Sequence, residues 1–344
     1  MYSSGSRYQA PHSVSWQKLL LAVHRCFVGV HASNDSALRV QEFSSFFTGF
    51  NLWAATHDAN LSPEEAGTDM TTVKRSDVID GFGRIKIWEA GGREVSITDV
   101  TRRLETKHWR PSFAPSQAIS VDEMLDTVRD FQRLLCLLQG RPVGFNDLRA
   151  EMLVESVTPG KQETRHAEMM VMMTGYKQSF PVSRHVEPSV PLGEMGDKWP
   201  SLVSRWLQSI RQFDAPLNLY LAVLFVAELF DEQKLLFIAQ ALEGYHRCKL
   251  KTDVRFLQRL TELTRPHRDT LSIFIRDLPT FLHAVRGIRD ELTHPGLGKF
   301  NLANQDMHSI SQKLKAIFEI CMLSDFDAPQ SAIVRIARHC REWT

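Results

Sequence analysis

Glu187-Pro-Ser-Val-Pro-Leu-Gly-Glu-Met-Gly196 (EPSVPLGEMG) is the stretch at which the chain changes character. Two prolines and two glycines within ten residues read as a linker. Downstream, apolar residues recur at helical spacing almost without a break. Trp199, Leu202, Val203, Trp206, Leu207 and Ile210 come first, followed by Leu217 to Phe230, Leu235 to Cys248 and Val254 to Leu263. A helix from Pro279 to Thr293 carries Phe281, Leu282, Val285, Ile288 and Leu292, and two more cover Asp306 to Leu323 and Ala328 to Arg341. Helices of this length joined by short turns predict an up-and-down bundle, with Trp199 and Trp206 in its core.

Upstream the pattern is different. Ile85–Ala90 and Arg93–Thr98 alternate with period two around Gly91-Gly92, which predicts a β-hairpin, and Glu168–Tyr176 and Ser179–Arg184 read as further strands. Ser120-Val-Asp-Glu123 is a capping box ahead of a helical stripe from Val121 to Leu138 that stops at Gly140. The expected fold is α+β: a β-rich domain with one long helix over residues 1–190, then an all-α bundle over residues 197–344.

The chain has 344 residues, 43% hydrophobic and 24% charged, which suits two packed domains and excludes disorder, collagen and coiled coil. Its most apolar run, Leu217 to Phe230, is interrupted by Asn218 and Glu228, so no membrane span is expected. Trp16 to Val30 contains Gln17, Lys18, His24 and Arg25 where a secretion signal needs a clean apolar run. Five scattered cysteines without a CxxC pair read as reduced thiols of a cytoplasmic protein, and the dispersed histidines give no metal site. No cofactor is expected. P-loop, dinucleotide-binding, nucleophile-elbow and HExxH motifs are all missing from the sequence.

Charge is concentrated in one place. Arg247, Lys249, Lys251, Arg255, Arg259, Arg265 and Arg268 are opposed within their segment only by Asp253 and Glu262. Such a run is either a solvated helix face or a track for phosphates.

Ile288-Arg-Asp-Glu-Leu-Thr-His294-Pro-Gly296 holds an arginine and a histidine five positions apart. Chance supplies about two or three such pairs in a chain of this size, and Arg25/His31, Arg102 or Arg103/His108 and Arg276/His283 are others. Pro279 breaks the last of these, Gly29 interrupts the first, and the pair ending at His108 lies in a polar stretch. Only Arg289 sits inside an amphipathic helix of the bundle. On a straight helix five steps would place the two side chains about 140° apart. The helix must therefore end near His294, which Pro295 and Gly296 favour. Two bundles meeting on a two-fold axis there would gather two arginines and two histidines in one cleft. The bland alternative is a C-capping histidine and an arginine that neutralises Asp290 or Glu291.

The bundle with Arg289-Asp290 and His294 near its end resembles the HEPN (higher eukaryotes and prokaryotes nucleotide-binding) superfamily. Ala241-Leu-Glu-Gly-Tyr-His-Arg247, the Trp206 helix before it and the order of β-rich domain then bundle resemble, more narrowly, the ApeA-type anti-phage proteins. The likeness is close in the bundle and looser in the first domain, whose pattern starts late relative to the family. It implies a metal-independent endoribonuclease acting as a toxin in abortive infection, a homodimer with a composite site, and a trigger derived from the phage. Arg289 and His294 would be catalytic, with Asp290 orienting one of them. The substrate would be RNA, a transfer RNA or messenger alike.

The residues suit that chemistry on their own terms. RNA supplies its own 2′-hydroxyl nucleophile, an imidazole can move protons near neutral pH, and a permanently charged guanidinium can hold two phosphate oxygens. Glu243, in an otherwise apolar helix segment, either pairs with Arg247 at i+4 or joins His246 and Arg247 in the RNA cleft, with Lys249, Lys251 and Arg255 continuing the phosphate track. A second reading also stays open: a non-catalytic bundle that binds a nucleotide or a protein, with a β-rich domain that recognises a ligand.

Overall fold

Seven strands form one antiparallel sheet in the order β1-β7-β6-β2-β5-β4-β3. They are β1 (Arg25–Val28), β2 (Leu38–Phe47), β3 (Thr71–Ile79), β4 (Gly83–Glu94), β5 (Leu104–Pro115), β6 (Phe145–Thr158) and β7 (Lys161–Met173), with a short helix α1 (Phe50–Ala55) after β2 and a long one, α2 (Val121–Gln139), between β5 and β6. The computed structural model describes residues 25–28, 38–55, 71–94, 104–158, 161–173, 188–294 and 306–343. The strand expected at Ser179–Arg184 lies outside them.

α2 begins and ends as its sequence dictates. The Ser120 hydroxyl accepts from the Glu123 amide at 3.2 Å, the Glu123 carboxylate accepts from the Ser120 amide at 2.8 Å, and Gly140 closes the helix at φ 65°. Its apolar stripe covers one face of the sheet. Phe43 and Phe113 stack across β2 and β5 at 4.9 Å, and Phe131 of α2 meets Phe113 edge-on at 4.9 Å.

The hairpin is not where alternation placed it. β4 runs through Gly91-Gly92 because these two residues pair with Lys107 and Thr106 of β5. The turn is Asp80-Gly81-Phe82, between β3 and β4, where Gly81 takes φ 73°. A three-residue loop needs that left-handed residue, and glycine adopts it without strain.

Residues 188–195 are likewise no free tether. Val190 is fully buried, its amide donates to Leu138 at 2.7 Å, and its carbonyl accepts the Trp53 indole N–H at 2.8 Å. A one-turn helix α3 (Leu192–Met195) buries Leu192 and Met195. The proline content that reads as flexibility in sequence here shapes a packed crossing.

The rest is helical: α4 (Trp199–Ser209), α5 (Asp214–Phe225), α6 (Asp231–Leu250), α7 (Phe256–Thr264), the single turn α8 (Arg268–Leu271), α9 (Leu278–Thr293), α10 (Met307–Asp325) and α11 (Gln330–Trp343). α10 is the central member, with Leu314, Ile317, Phe318 and Ile320 buried. Its Glu319, 3% exposed, accepts from the Tyr220 hydroxyl at 2.6 Å and from Lys315 at 2.8 Å, which satisfies a carboxylate that burial would otherwise penalise. Among the described residues no helix is long and apolar enough to cross a membrane.

One apolar core runs from the sheet into the bundle. Trp199 of α4 packs on Trp53 at 5.2 Å and on Phe131 at 6.1 Å. Beside it lies a polar seam: the Trp206 indole donates to the Asp130 carbonyl at 2.7 Å, and Arg133 of α2 donates to Asp214 at 2.6 Å and Asn218 at 3.0 Å of α5. Burial raises the Asp130 carboxyl above its ordinary range, against the opposing pull of Arg133 and Arg211.

Replacing Trp206 by Phe removes that bond, while the carbonyl keeps its donor within α2, and should cost about 0.5–1.5 kcal/mol in urea unfolding. A second expectation concerns pH. Burial holds His267 and His339 below the ordinary histidine value of 6.5, so below that pH the unfolded chain takes up protons that the folded one refuses. Their contribution to stability is intact above pH 6.5 and is lost as the pH falls below it. The double variant His267→Gln/His339→Gln should flatten this limb of the melting-temperature profile.

Candidate functional site

Three helices meet at the C-terminal end of α9. The sequence places Leu282, Val285 and Ile288 on the buried side of α9, and all three are buried. Arg289, the next residue, leaves the core edge 28% exposed and turns toward α6 and α7. Its guanidinium donates to Glu243 of α6 at 3.4 Å and to Asp290 at 3.3 Å, and lies over the Phe256 ring of α7 at 5.0 Å. A planar cation on a ring face, with a carboxylate at its edge, is held in orientation as well as position.

Glu243 is the centre of the cluster. Its carboxylate, 17% exposed, meets Arg247 at 2.9 Å, Arg289 at 3.4 Å and Arg259 of α7 at 3.7 Å. Pairing with Arg247 is therefore one of three ion pairs. Arg259 is buried, 2% exposed, and also donates to Asp253 at 2.9 Å and to the Thr252 carbonyl at 3.3 Å. A guanidinium taken out of water this far needs the two carboxylates. Asp290 accepts from Arg286 at 3.4 Å on its other oxygen.

α9 ends as its sequence requires. Thr293 is its last residue and His294 is the C-cap at φ −138°, ψ 70°, its amide donating to the Asp290 carbonyl at 2.9 Å. The His294 side chain is exposed and among the described residues has no hydrogen-bond partner. Within one chain, then, Arg289, Asp290, Glu243 and Arg247 come together, and His294 stands at the helix end facing outward.

The remaining residues of the expected track separate into groups. Arg247 is 60% exposed, Lys251 caps α6 at φ 54° with its side chain exposed, and Arg255 is exposed at the start of α7 beside Phe256. Lys249 is bound to Asp325 at 2.6 Å. His246 does not line a cleft: its side chain is 0% exposed, with Nε2 at 2.7 Å from Glu262. It can only support the site from behind, and the Glu262 carboxyl is lowered first by that hydrogen bond. Arg259, counted with the surface charges on sequence, faces inward for a reason that spacing could have revealed. Phe256, Arg259, Leu260 and Leu263 fall at i, i+3, i+4 and i+7, so this arginine occupies a core position. That Phe256 would lie under the Arg289 guanidinium and Asp253 against that of Arg259 carried no such signal.

Among the described residues no group of three or more His, Cys, Asp and Glu side chains could hold a metal ion. The arrangement offers a fixed, partly exposed cation and, five residues along at the helix end, an exposed imidazole.

Glu243→Ala would leave Arg259 and Arg289 facing each other across an empty position. It should destabilise the chain by about 3 kcal/mol, and Glu243→Gln, which keeps an acceptor oxygen but not the anion, should recover only part of that loss. Chemical denaturation of both variants checks this.

The family model described as ApeA N-terminal domain 1 matches residues 2–206, more than half of the chain. That described as Apea-like HEPN matches residues 236–331, the interval that holds Glu243, Arg259, Arg289 and His294. No curated protein and no solved structure matches.

Proposed function

Since the chain belongs to the ApeA family of HEPN proteins, we propose that it is a metal-independent endoribonuclease of anti-phage defence, active as a homodimer in the cytoplasm. The observation that carries this reading is the placement of Arg289. It is oriented by Glu243 and Phe256, stays 28% exposed and lies at the same helix end as the exposed His294.

The reaction is transesterification. The ribose 2′-oxygen attacks phosphorus, the bond to the 5′-oxygen breaks, and a 2′,3′-cyclic phosphate and a 5′-hydroxyl result. His294 takes the proton from the 2′-hydroxyl, and a second imidazole, brought by the symmetry mate, gives one to the leaving oxygen. Arg289 offsets the charge that builds on the non-bridging oxygens, and Asp290 positions it. Arg247, Lys251 and Arg255 hold flanking phosphates without reading bases. The β-rich unit, residues 1–190, controls the bundle, residues 197–344, in response to a phage-derived trigger.

One observation favours the non-catalytic alternative: Arg289 already has two carboxylate partners, Glu243 and Asp290, within a single chain. Cleavage decides between them. Arg289→Ala and His294→Ala should each lower RNA cleavage on the order of 100-fold or more with the fold intact, and EDTA should leave the wild type unaffected. Sedimentation should give a dimer. A wild type that leaves RNA whole in infected cells, or one that cuts as a monomer, would remove the proposal.

A further inference from the structure

The face of the sheet turned away from α2 has a composition that neither the fold nor the proposed nuclease chemistry requires. Across five strands, Arg149, Ser44, Ser112, Lys86 and Ser76 stand opposite one another in a single row. In the next row Trp88 is opposite Arg110. The Arg110 guanidinium lies 4.5 Å over the Phe46 ring and the Lys86 ammonium 5.6 Å from that of Trp88. In the third row Arg84 stands between Ala114 and Val78, at an open depression of about 500 Å³ that Lys86 and Ser116 also line.

Residues 1–196 contain more acidic than basic side chains, yet the three rows carry Arg84, Lys86, Arg110 and Arg149. The carboxylates beside them fall in one line, with Glu42, Glu151 and Glu168 opposite one another, and Glu42 is held by Lys86 at 3.2 Å and by the Ser112 hydroxyl. Arg84 is exposed and meets among the described residues no carboxylate, only the Ser76 hydroxyl at 3.5 Å. Val78 beside it is 68% exposed. Cross-strand pairing alone would favour alternating charges.

We infer that this sheet face binds single-stranded nucleic acid. Cations spaced across neighbouring strands suit a phosphate backbone, while Phe46, Trp88 and the Arg110 plane between them offer surfaces on which unpaired bases stack. The rings favour a nucleic acid over an acidic protein, which would call for the cations but not the aromatic surfaces. A duplex keeps its bases stacked inside and gains nothing from the rings. The residues are separate from Arg289 and His294, so the site would recognise nucleic acid rather than cut it.

The test is fluorescence anisotropy of labelled oligo-dT with the full-length chain. Oligo-dT has no 2′-hydroxyl, so binding is read independently of cleavage. Arg84→Glu, at an exposed position, should weaken binding and flatten its dependence on salt. Trp88→Ala should weaken it about tenfold, Trp88→Phe should restore most of the affinity, and both effects should persist in an Arg289→Ala background. Unaltered melting temperatures would assign these losses to binding. The inference is overturned if the sheet variants bind like the wild type, if Arg289→Ala alone abolishes binding, or if polyglutamate competes as well as unlabelled oligo-dT.

Discussion

The carboxylate of Glu243 among three guanidinium groups is the constraint on which the site depends. Arg247, Arg259 and Arg289 come from α6, α7 and α9, and like charges at this spacing repel one another without an anion between them. Glu243 converts that repulsion into a clamp on three helices. Arg259 makes the clamp strict, because a guanidinium 2% exposed cannot turn to water when a partner is lost. The direction of Arg289 is therefore set by the way three helices pack, and any shift of α7 is felt through both Arg259 and Phe256.

A second feature bears on control. The sheet and the bundle share a core through Phe131, Trp53 and Trp199, and α2 is tied to α4 and α5 by Trp206, Arg133 and Asp214. An event at the sheet has a packed route into the bundle, not a slack tether to cross. Asp130 lies on that route, buried beside two arginines with its carboxyl raised, so small changes in the position of Arg211 or Arg133 would be strongly felt there.

Much of the fold was legible because helices are local. The capping box at Ser120, the stop at Gly140, the 3.6-residue stripe of α9 and its end at His294 depend on neighbours within one turn, and sequence spacing contains those neighbours. Strands are different. Gly91-Gly92 has the composition of a turn, but β4 continues through it since its partner there, β5, comes from elsewhere in the chain. The prolines of 187–196 fix local dihedral angles without saying whether the segment will be covered.

By itself the sequence determined the α+β class, the run of helices after residue 197, the helix end that separates Arg289 from His294, and the likeness to the ApeA family. The tertiary structure alone decided which charges face water. It turned His246 inward, bound Lys249 to Asp325 and gathered three arginines on Glu243. The physical reason is that spacing along one helix fixes a side chain's angle around the axis, whereas its burial and its ion partners are fixed by the other helices laid against that angle.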